Sequence, residues 1–288
     1  MNRAMLQAVP HFSQKLSARE AGALSTKGVA AADARLLSVN QVTLRFGGIT
    51  ALNGVSFDMD RQTVLGLIGP NGAGKTSLFN CLSRLYEYSE GQIVFDGHRL
   101  DAYPRYRMAD LGIGRTFQNL ALFNSMSVVD NIKVGRHCRT RKGFLANAFR
   151  LPGVAAEEAE TGRRAHELIE FLELGAVADR LVGDLPFGTR KRVELGRALA
   201  SDPTLLLLDE PAAGLNHEEV EDLRGLILQI RSRLKMGILL VEHHMSLVMG
   251  VSDKVVALNF GQKIAEGTPS QVQQDANVIQ AYLGGAKK

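Results

Sequence analysis

The sequence predicts an α/β protein: a parallel sheet covered by helices, with a helical segment inserted into it. Short, continuous apolar runs at 63–68, 205–208 and 238–241 have the pattern of strands buried on both faces. Helical periodicity over 217–234 separates the last two runs, and strand alternating with helix indicates parallel pairing. From 119 to 184 a helical signal replaces the strand signal, which marks the insertion. At 288 residues and 45% hydrophobic, the chain can bury a sizeable core as one domain with an insertion.

Residues 1–35 stand apart. Small and polar residues dominate there, and Arg3, Lys15, Arg19, Lys27 and Arg35 outnumber Glu20 and Asp33. An acid-poor stretch of this kind fits an organellar transit peptide or a disordered leader. No apolar face recurs at helical spacing, so disorder is the expectation and the fold is placed at 36–285.

Strands are expected at 36–45 and 55–59, with Gly47 and Gly48 breaking the first and Asn53-Gly54 lying just ahead of the second. The run 63–68 leads into Gly69, and a helix follows from Gly74. Short strands come next at 93–95, closed by Asp96-Gly97, and at 112–117. Inside the insertion, 127–134 and 155–174 carry the clearest helical patterns, separated by the basic, Gly- and Pro-containing stretch 139–153. Asn216 with Glu219 three residues on forms a capping-box pattern at the start of helix 217–234. Segments 254–259 and 262–265, joined through Phe260-Gly261, read as a terminal hairpin ahead of a tail at 267–285.

A net charge of +4 leaves nucleotides, nucleic acid and lipid headgroups equally open as anionic partners. Cys81 and Cys138 are too few and too scattered for a disulfide framework or a cysteine metal site. No uninterrupted apolar run approaches the ~18 residues that a spanning helix requires.

Chemistry enters at Gly69-Pro70-Asn71-Gly72-Ala73-Gly74-Lys75-Thr76, which fits G-x-x-x-x-G-K-[ST] between a buried strand and a helix start. Glycines let successive backbone N–H groups converge on phosphate oxygens, and the helix N-terminus adds positive potential. Lys75 is expected at the β- and γ-phosphates and Thr76 on Mg²⁺, with Ser77 counted among the nucleotide-binding residues. G-x-G-x-x-G spacing is absent, so a dinucleotide turn does not fit. The apolar run 205–208 then delivers Asp209 and Glu210 to its C-terminal end, where parallel sheets place their ligands. Asp209 is expected to hold Mg²⁺ and Glu210 to polarise the attacking water.

With these motifs, three further stretches resemble the ATPase subunits of ABC transporters over nearly all of 36–285. The resemblance implies a P-loop ABC ATPase fold with a core parallel sheet, an antiparallel β subdomain and an inserted helical subdomain at 119–184. Gln118, in Arg115-Thr116-Phe117-Gln118, matches the Q-loop glutamine that approaches Mg²⁺ and water and links the site to the membrane subunit. His243 matches the switch histidine at the γ-phosphate, and register selects it over the adjacent His244. Asn216, in Gly214-Leu215-Asn216, matches the D-loop of the dimer interface, where the family often has Asp. Phe46 sits where the family stacks adenine on an aromatic; a core phenylalanine is the alternative reading.

The signature departs from the family's L-S-G-G-Q. Here Leu185-Pro186-Phe187-Gly188-Thr189 precedes a helix expected at 190–200. Gly188 and Thr189 are expected to face the partner's ATP, whereas Pro186 replaces a serine hydroxyl and has no N–H. This signature, the opening 46–52, the stretch 209–216 and the ending 278–284 together resemble the LivG type of branched-chain amino-acid importer ATPases; urea and amide importers share much of the pattern.

The resemblance implies ATP and Mg²⁺ as cofactors and a second ABC ATPase, LivF-like in a heterodimer rather than a copy of this chain. It further implies transmembrane permease subunits, an extracytoplasmic solute-binding protein, and a place at the cytoplasmic face of the inner membrane. A soluble ABC-type ATPase acting on nucleic acid is the rival. Such proteins usually insert long coiled coils or carry tandem ATPase domains, and this sequence has neither, so no nucleic-acid partner is expected. A regulator that no longer turns over is suggested only by Pro186 and Phe187 and opposed by Asp209, Glu210 and His243.

Overall fold

The computed structural model describes residues 35–117, 120–139 and 154–284. The expectations for the leader and for Gln118 therefore lie outside the described residues, Arg35 excepted. β1 (Arg35–Phe46) and β2 (Ile49–Asp60) pair antiparallel across Gly47-Gly48. β2 begins well ahead of the expected residue 55, because Asn53-Gly54 lies inside the strand rather than before it. Gly54 (φ 64°) and Gln41 (φ 50°) take left-handed backbone, and the pairing register slips between Val39 and Val42 and again before Leu44. Such a bulge absorbs an Asn-Gly pair without turning the chain. Its donors stay paired: Gly54 N–H donates to Thr43 Oγ1 at 3.0 Å and Gln41 N–H to Ser56 Oγ at 2.8 Å.

β3 (Val64–Ile68) passes into helix α1 (Lys75–Leu82), and β4 (Glu90–Phe95) and β5 (His98–Arg99) follow. The first sheet is antiparallel in the order β2-β1-β4-β5. A short helix, α2 (Met108–Leu111), precedes β6 (Ile113–Arg115), which is narrower than the expected 112–117 because Gly112 (φ 103°) closes α2. β7 (Leu205–Asp209), β8 (Gly237–Val241), β9 (Lys254–Asn259) and β10 (Gln262–Gly267) complete a second sheet, ordered β10-β9-β3-β8-β7-β6. Its pairings are parallel except β9 with β10.

Alternation along the central strands divides the core. Leu65, Leu67, Leu205, Leu207, Leu239 and Val241 pack with the antiparallel sheet and with Leu78, Phe79 and Leu82 of α1. Val64, Ile68, Leu206, Leu208, Ile238 and Leu240 pack on the opposite, helical side. Full burial of each such side chain is worth roughly 1.5–3 kcal/mol, so continuous apolar runs are what this position in the fold requires.

The inserted region contributes α3 (Val128–Gly135), capped by Ser127 Oγ accepting from Asp130 N–H at 3.2 Å, and α4 (Val154–Phe171). α4 stops short of the expected residue 174. Glu173 turns left-handed (φ 57°), and the N–H groups of Glu173 and Leu174 return to the carbonyls of Glu170 and Ile169 at 3.1 and 2.8 Å, a Schellman closure. α5 (Phe187–Leu199) starts before the expected 190, since Pro186 serves as its N-cap and accepts Arg190 N–H at 3.0 Å. Proline's fixed φ and missing N–H are tolerated at a helix start.

α6 (His217–Leu234) has the expected capping box: Asn216 Oδ1 accepts Glu219 N–H at 3.0 Å and Glu219 Oε2 accepts Asn216 N–H at 2.9 Å. α7 (Met245–Val251), α8 (Pro269–Gln274) and α9 (Ala276–Gly284) close the described chain. Among the described residues, no helix is long and apolar enough to cross a membrane.

Candidate functional site

The phosphate-type loop occupies the C-terminal end of β3, in the middle of the parallel sheet. Gly69 (φ 151°) crosses the backbone of β9 so closely that a Cβ would stand 2.3 Å from the Leu258 carbonyl oxygen. Ala73 N–H returns to Pro70 O at 3.1 Å, and Gly261 N–H from the β9–β10 turn donates to Ala73 O at 3.0 Å. Gly74 (φ 100°) then caps α1, whose first turn carries no acidic side chain. Asn71, Gly72 and Thr76 remain exposed while Lys75 is buried. Lys75 Nζ donates to the carbonyls of Gly69 at 2.6 Å and Pro70 at 3.0 Å. Burial pushes its pKa down, opposed by the charges of Glu210 and Asp209.

A cleft of about 460 Å³ opens on this loop, walled by Ala51, Lys75, Thr76, Ser77, Glu210 and Phe260. Asp209 and Glu210 arrive from β7. Asp209 is buried and accepts from Arg115 Nη2 at 3.0 Å; burial raises its carboxyl pKa and Arg115 opposes the rise. Glu210 has left-handed backbone (φ 48°), held by its N–H donating to Val241 O at 2.9 Å. A non-glycine residue in that region stores on the order of 1–3 kcal/mol, and here it turns the carboxylate off the strand into the cleft.

Arg115 carried no role in the sequence reading. Its guanidinium also donates to Asn80 Oδ1 at 2.9 Å and Ser83 Oγ at 2.8 Å, so it fastens α1 to the ends of β6 and β7. Glu242, equally missed, is wholly buried. Its carboxylate accepts the N–H groups of Ala212 at 2.7 Å, His243 at 2.9 Å and His244 at 3.2 Å. It thereby locks the loop after β7, which carries Glu210, to the loop after β8. The available signal was the one that marked Asp209: an acid ending a wholly apolar strand. His244 Nδ1 lies 3.2 Å from Glu242 Oε2, whereas the His243 ring is the more exposed of the two, 4.6 Å from its neighbour's centroid.

Phe46 stands half-exposed beside the β1–β2 turn, its ring edge-on to Tyr86 at 5.1 Å. Gly188 and Thr189 lie in the first turn of α5 and line a separate cavity of about 220 Å³ with Thr116, Glu194, Leu215 and Glu219. A Cβ on Gly188 would meet Glu219 Oε1 at 2.4 Å, and one on Gly214 would meet the Phe187 ring at 2.9 Å. The start of α5 therefore packs on the loop that leads into α6 and on the first turn of α6. Glu194, buried on α5, accepts Phe117 N–H at 3.1 Å, one residue ahead of Gln118, which itself is outside the described residues.

The sequence profile of the ABC transporter family matches residues 52–213, from β2 through the glycine-rich loop after β3 and the acidic pair at the end of β7. The chain belongs to the ABC transporter ATP-binding family. A second profile, that of the branched-chain amino acid ATP-binding cassette transporter, matches residues 262–288 of this cassette. The high-affinity branched-chain amino acid transport ATP-binding protein BraF of Pseudomonas aeruginosa is 42% identical to it over 87% of this chain and 98% of the relative. LivG of Escherichia coli K12, described in the same words, is 40% identical over the same shares. Among solved structures, the ADP conformation of MJ1267, an ATP-binding cassette of an ABC transporter, superposes with a TM-score of 0.76 at 31% identity, covering 87% of this chain and 99% of that one. The protein is thus an ATPase built on the ABC cassette.

Proposed function

We propose that this cassette powers uptake of branched-chain amino acids through a permease, from the cytoplasmic face of the inner membrane. The observation that carries this reading is the C-terminal segment, whose match at 262–288 is to branched-chain amino acid cassettes. Its facing ATPase is a LivF-like partner, the permease docks on the inserted region 119–184, and a solute-binding protein outside the membrane supplies the substrate.

The residues divide the work. Backbone N–H groups from Asn71 to Ser77, with Gly69 and Pro70 shaping the turn, cradle the phosphates at the N-terminus of α1. Lys75 exchanges its two loop carbonyls for β- and γ-phosphate oxygens. Thr76 and Asp209, with Gln118, would hold Mg²⁺: hydroxyl, carboxylate and amide oxygens suit this hard cation, and a buried Asp209 gains from a divalent neighbour. Once bound, Mg²⁺ neutralises charge at the transferring phosphoryl group. Glu210 polarises the water, His243 and Gln118 sense the γ-phosphate, and Phe46 stacks on adenine. Gly188 and Thr189 face the partner's ATP, and Asn216 lies at the interface between the two ATPases.

The test is reconstitution with permease, partner ATPase and binding protein in liposomes. ATP inside and leucine outside should give uptake that collapses without this chain. Uptake of urea or an amide in place of leucine would overturn the substrate assignment.

A further inference from the structure

The C-terminal helix reaches the ATP site through a single hydroxyl. α9 is capped by Asp275, whose Oδ1 accepts Asn277 N–H at 2.8 Å and Val278 N–H at 3.3 Å. Val278 is buried in the helical-side core with Val255, Ala257 and Val272, which seats the helix. Tyr282 lies four residues further and hence on the same helical face. Its hydroxyl accepts Gly69 N–H at 2.8 Å. Gly69 is where the sheet ladder ends, since Ile68 is the last residue of β3 to pair with β9. The same residue offers its carbonyl to Lys75 Nζ at 2.6 Å. One peptide-linked residue is therefore held on its N–H side by the C-terminal helix and on its carbonyl side by the phosphate-binding lysine. Along the rest of its length α9 borders an open groove of about 730 Å³, with Asn277, Gln280 and Ala281 facing Asn71 and Gly72 of the loop across it.

We propose that Tyr282 is a positioning residue for the phosphate loop: its hydroxyl fixes Gly69 in the phosphate-binding shape and couples nucleotide affinity to docking of the C-terminal helix. A hydrogen bond that holds the loop before nucleotide arrives lowers the ordering cost of binding, so its loss appears in affinity rather than in the chemical step. Coupling of this kind is reciprocal: what the helix gives to nucleotide affinity, nucleotide returns to helix docking.

Tyr282→Phe removes the hydroxyl and keeps the ring. The inference rests on the ATP site at this loop, and a wild-type chain that failed to bind MgATP would remove that site rather than this coupling. With wild-type binding in hand, Tyr282→Phe should raise both the Kd for MgATP of the isolated chain and the KM of the assembled transporter by about threefold to tenfold, with kcat within twofold. In hydrogen exchange, MgATP should slow the amides of 276–284 in the wild type and leave them unchanged in the variant. An unchanged Kd overturns the proposal, as does a fall in kcat at constant KM. Equal nucleotide protection of the helix in both proteins does the same.

Discussion

At the scale of single residues, the site is built from charged groups taken out of water and given specific partners. Burial drives Lys75 and Asp209 each toward its neutral form; the charges of Glu210 and Asp209 oppose it at Lys75, and Arg115 opposes it at Asp209. Such an arrangement is costly unless every lone pair and proton has a partner, which explains the buried acids that take no part in chemistry. Glu242 is the clearest of them. Glu242→Ala would strand the buried N–H of Ala212 together with those of His243 and His244. The expected loss is about 3 kcal/mol in denaturant unfolding, with turnover impaired because Glu210 and His243 lose their common anchor. A variant as stable as the wild type would contradict that role. The sequence shows Glu242 as an acid ending an apolar strand but not what it holds, because Glu242 meets Ala212, and Arg115 meets Asp209, only after the sheet has brought distant strands side by side.

At the scale of elements, α5 is the part that joins the signature to the rest of the site. Its Glu194 is buried against Phe117 N–H, and burial raises its carboxyl pKa above the ordinary value of 4.5. The folded state therefore holds this proton more tightly than the unfolded state. The resulting stability is present below the ordinary value and is lost as pH rises through the folded pKa. Glu194→Gln keeps an acceptor for Phe117 and has no proton to lose. Its melting temperature relative to wild type should rise between about pH 4 and about pH 7; a difference that stays constant across that range would refute the assignment.

Element positions followed from the sequence where a pattern was local. The runs of β3, β7 and β8 were plain because both faces are buried, and the capping box of α6 lies within four consecutive residues. β2 was misplaced because Asn-Gly suits a turn and a bulge equally, and the pairing partner decides between them. The ends of α4 and α5 were set by backbone closure at Glu173 and Pro186, which side-chain periodicity does not report. Likewise the loop motif was complete in the sequence, whereas its contact with Tyr282 depends on how α9 docks.

At the scale of the whole molecule, the ten strands among the described residues form two sheets, and the C-terminal ends of the central strands β3, β7 and β8 deliver the loop, Asp209-Glu210 and His243 to one side. This is the place where an open parallel sheet binds its ligand. Phe187 at the start of α5 packs on Gly214 in the loop before α6, so under the proposed roles of these segments movement of the inserted region and of the interface with the second ATPase is expected to be linked within one chain. ATP turnover is what gives such linkage a direction. The decisive measurement is turnover and uptake by the assembled transporter carrying Glu210→Gln, set beside MgATP binding by the same variant. Binding should remain within threefold of wild type, while hydrolysis and leucine uptake fall by at least about 100-fold. Uptake at the wild-type rate would contradict the account.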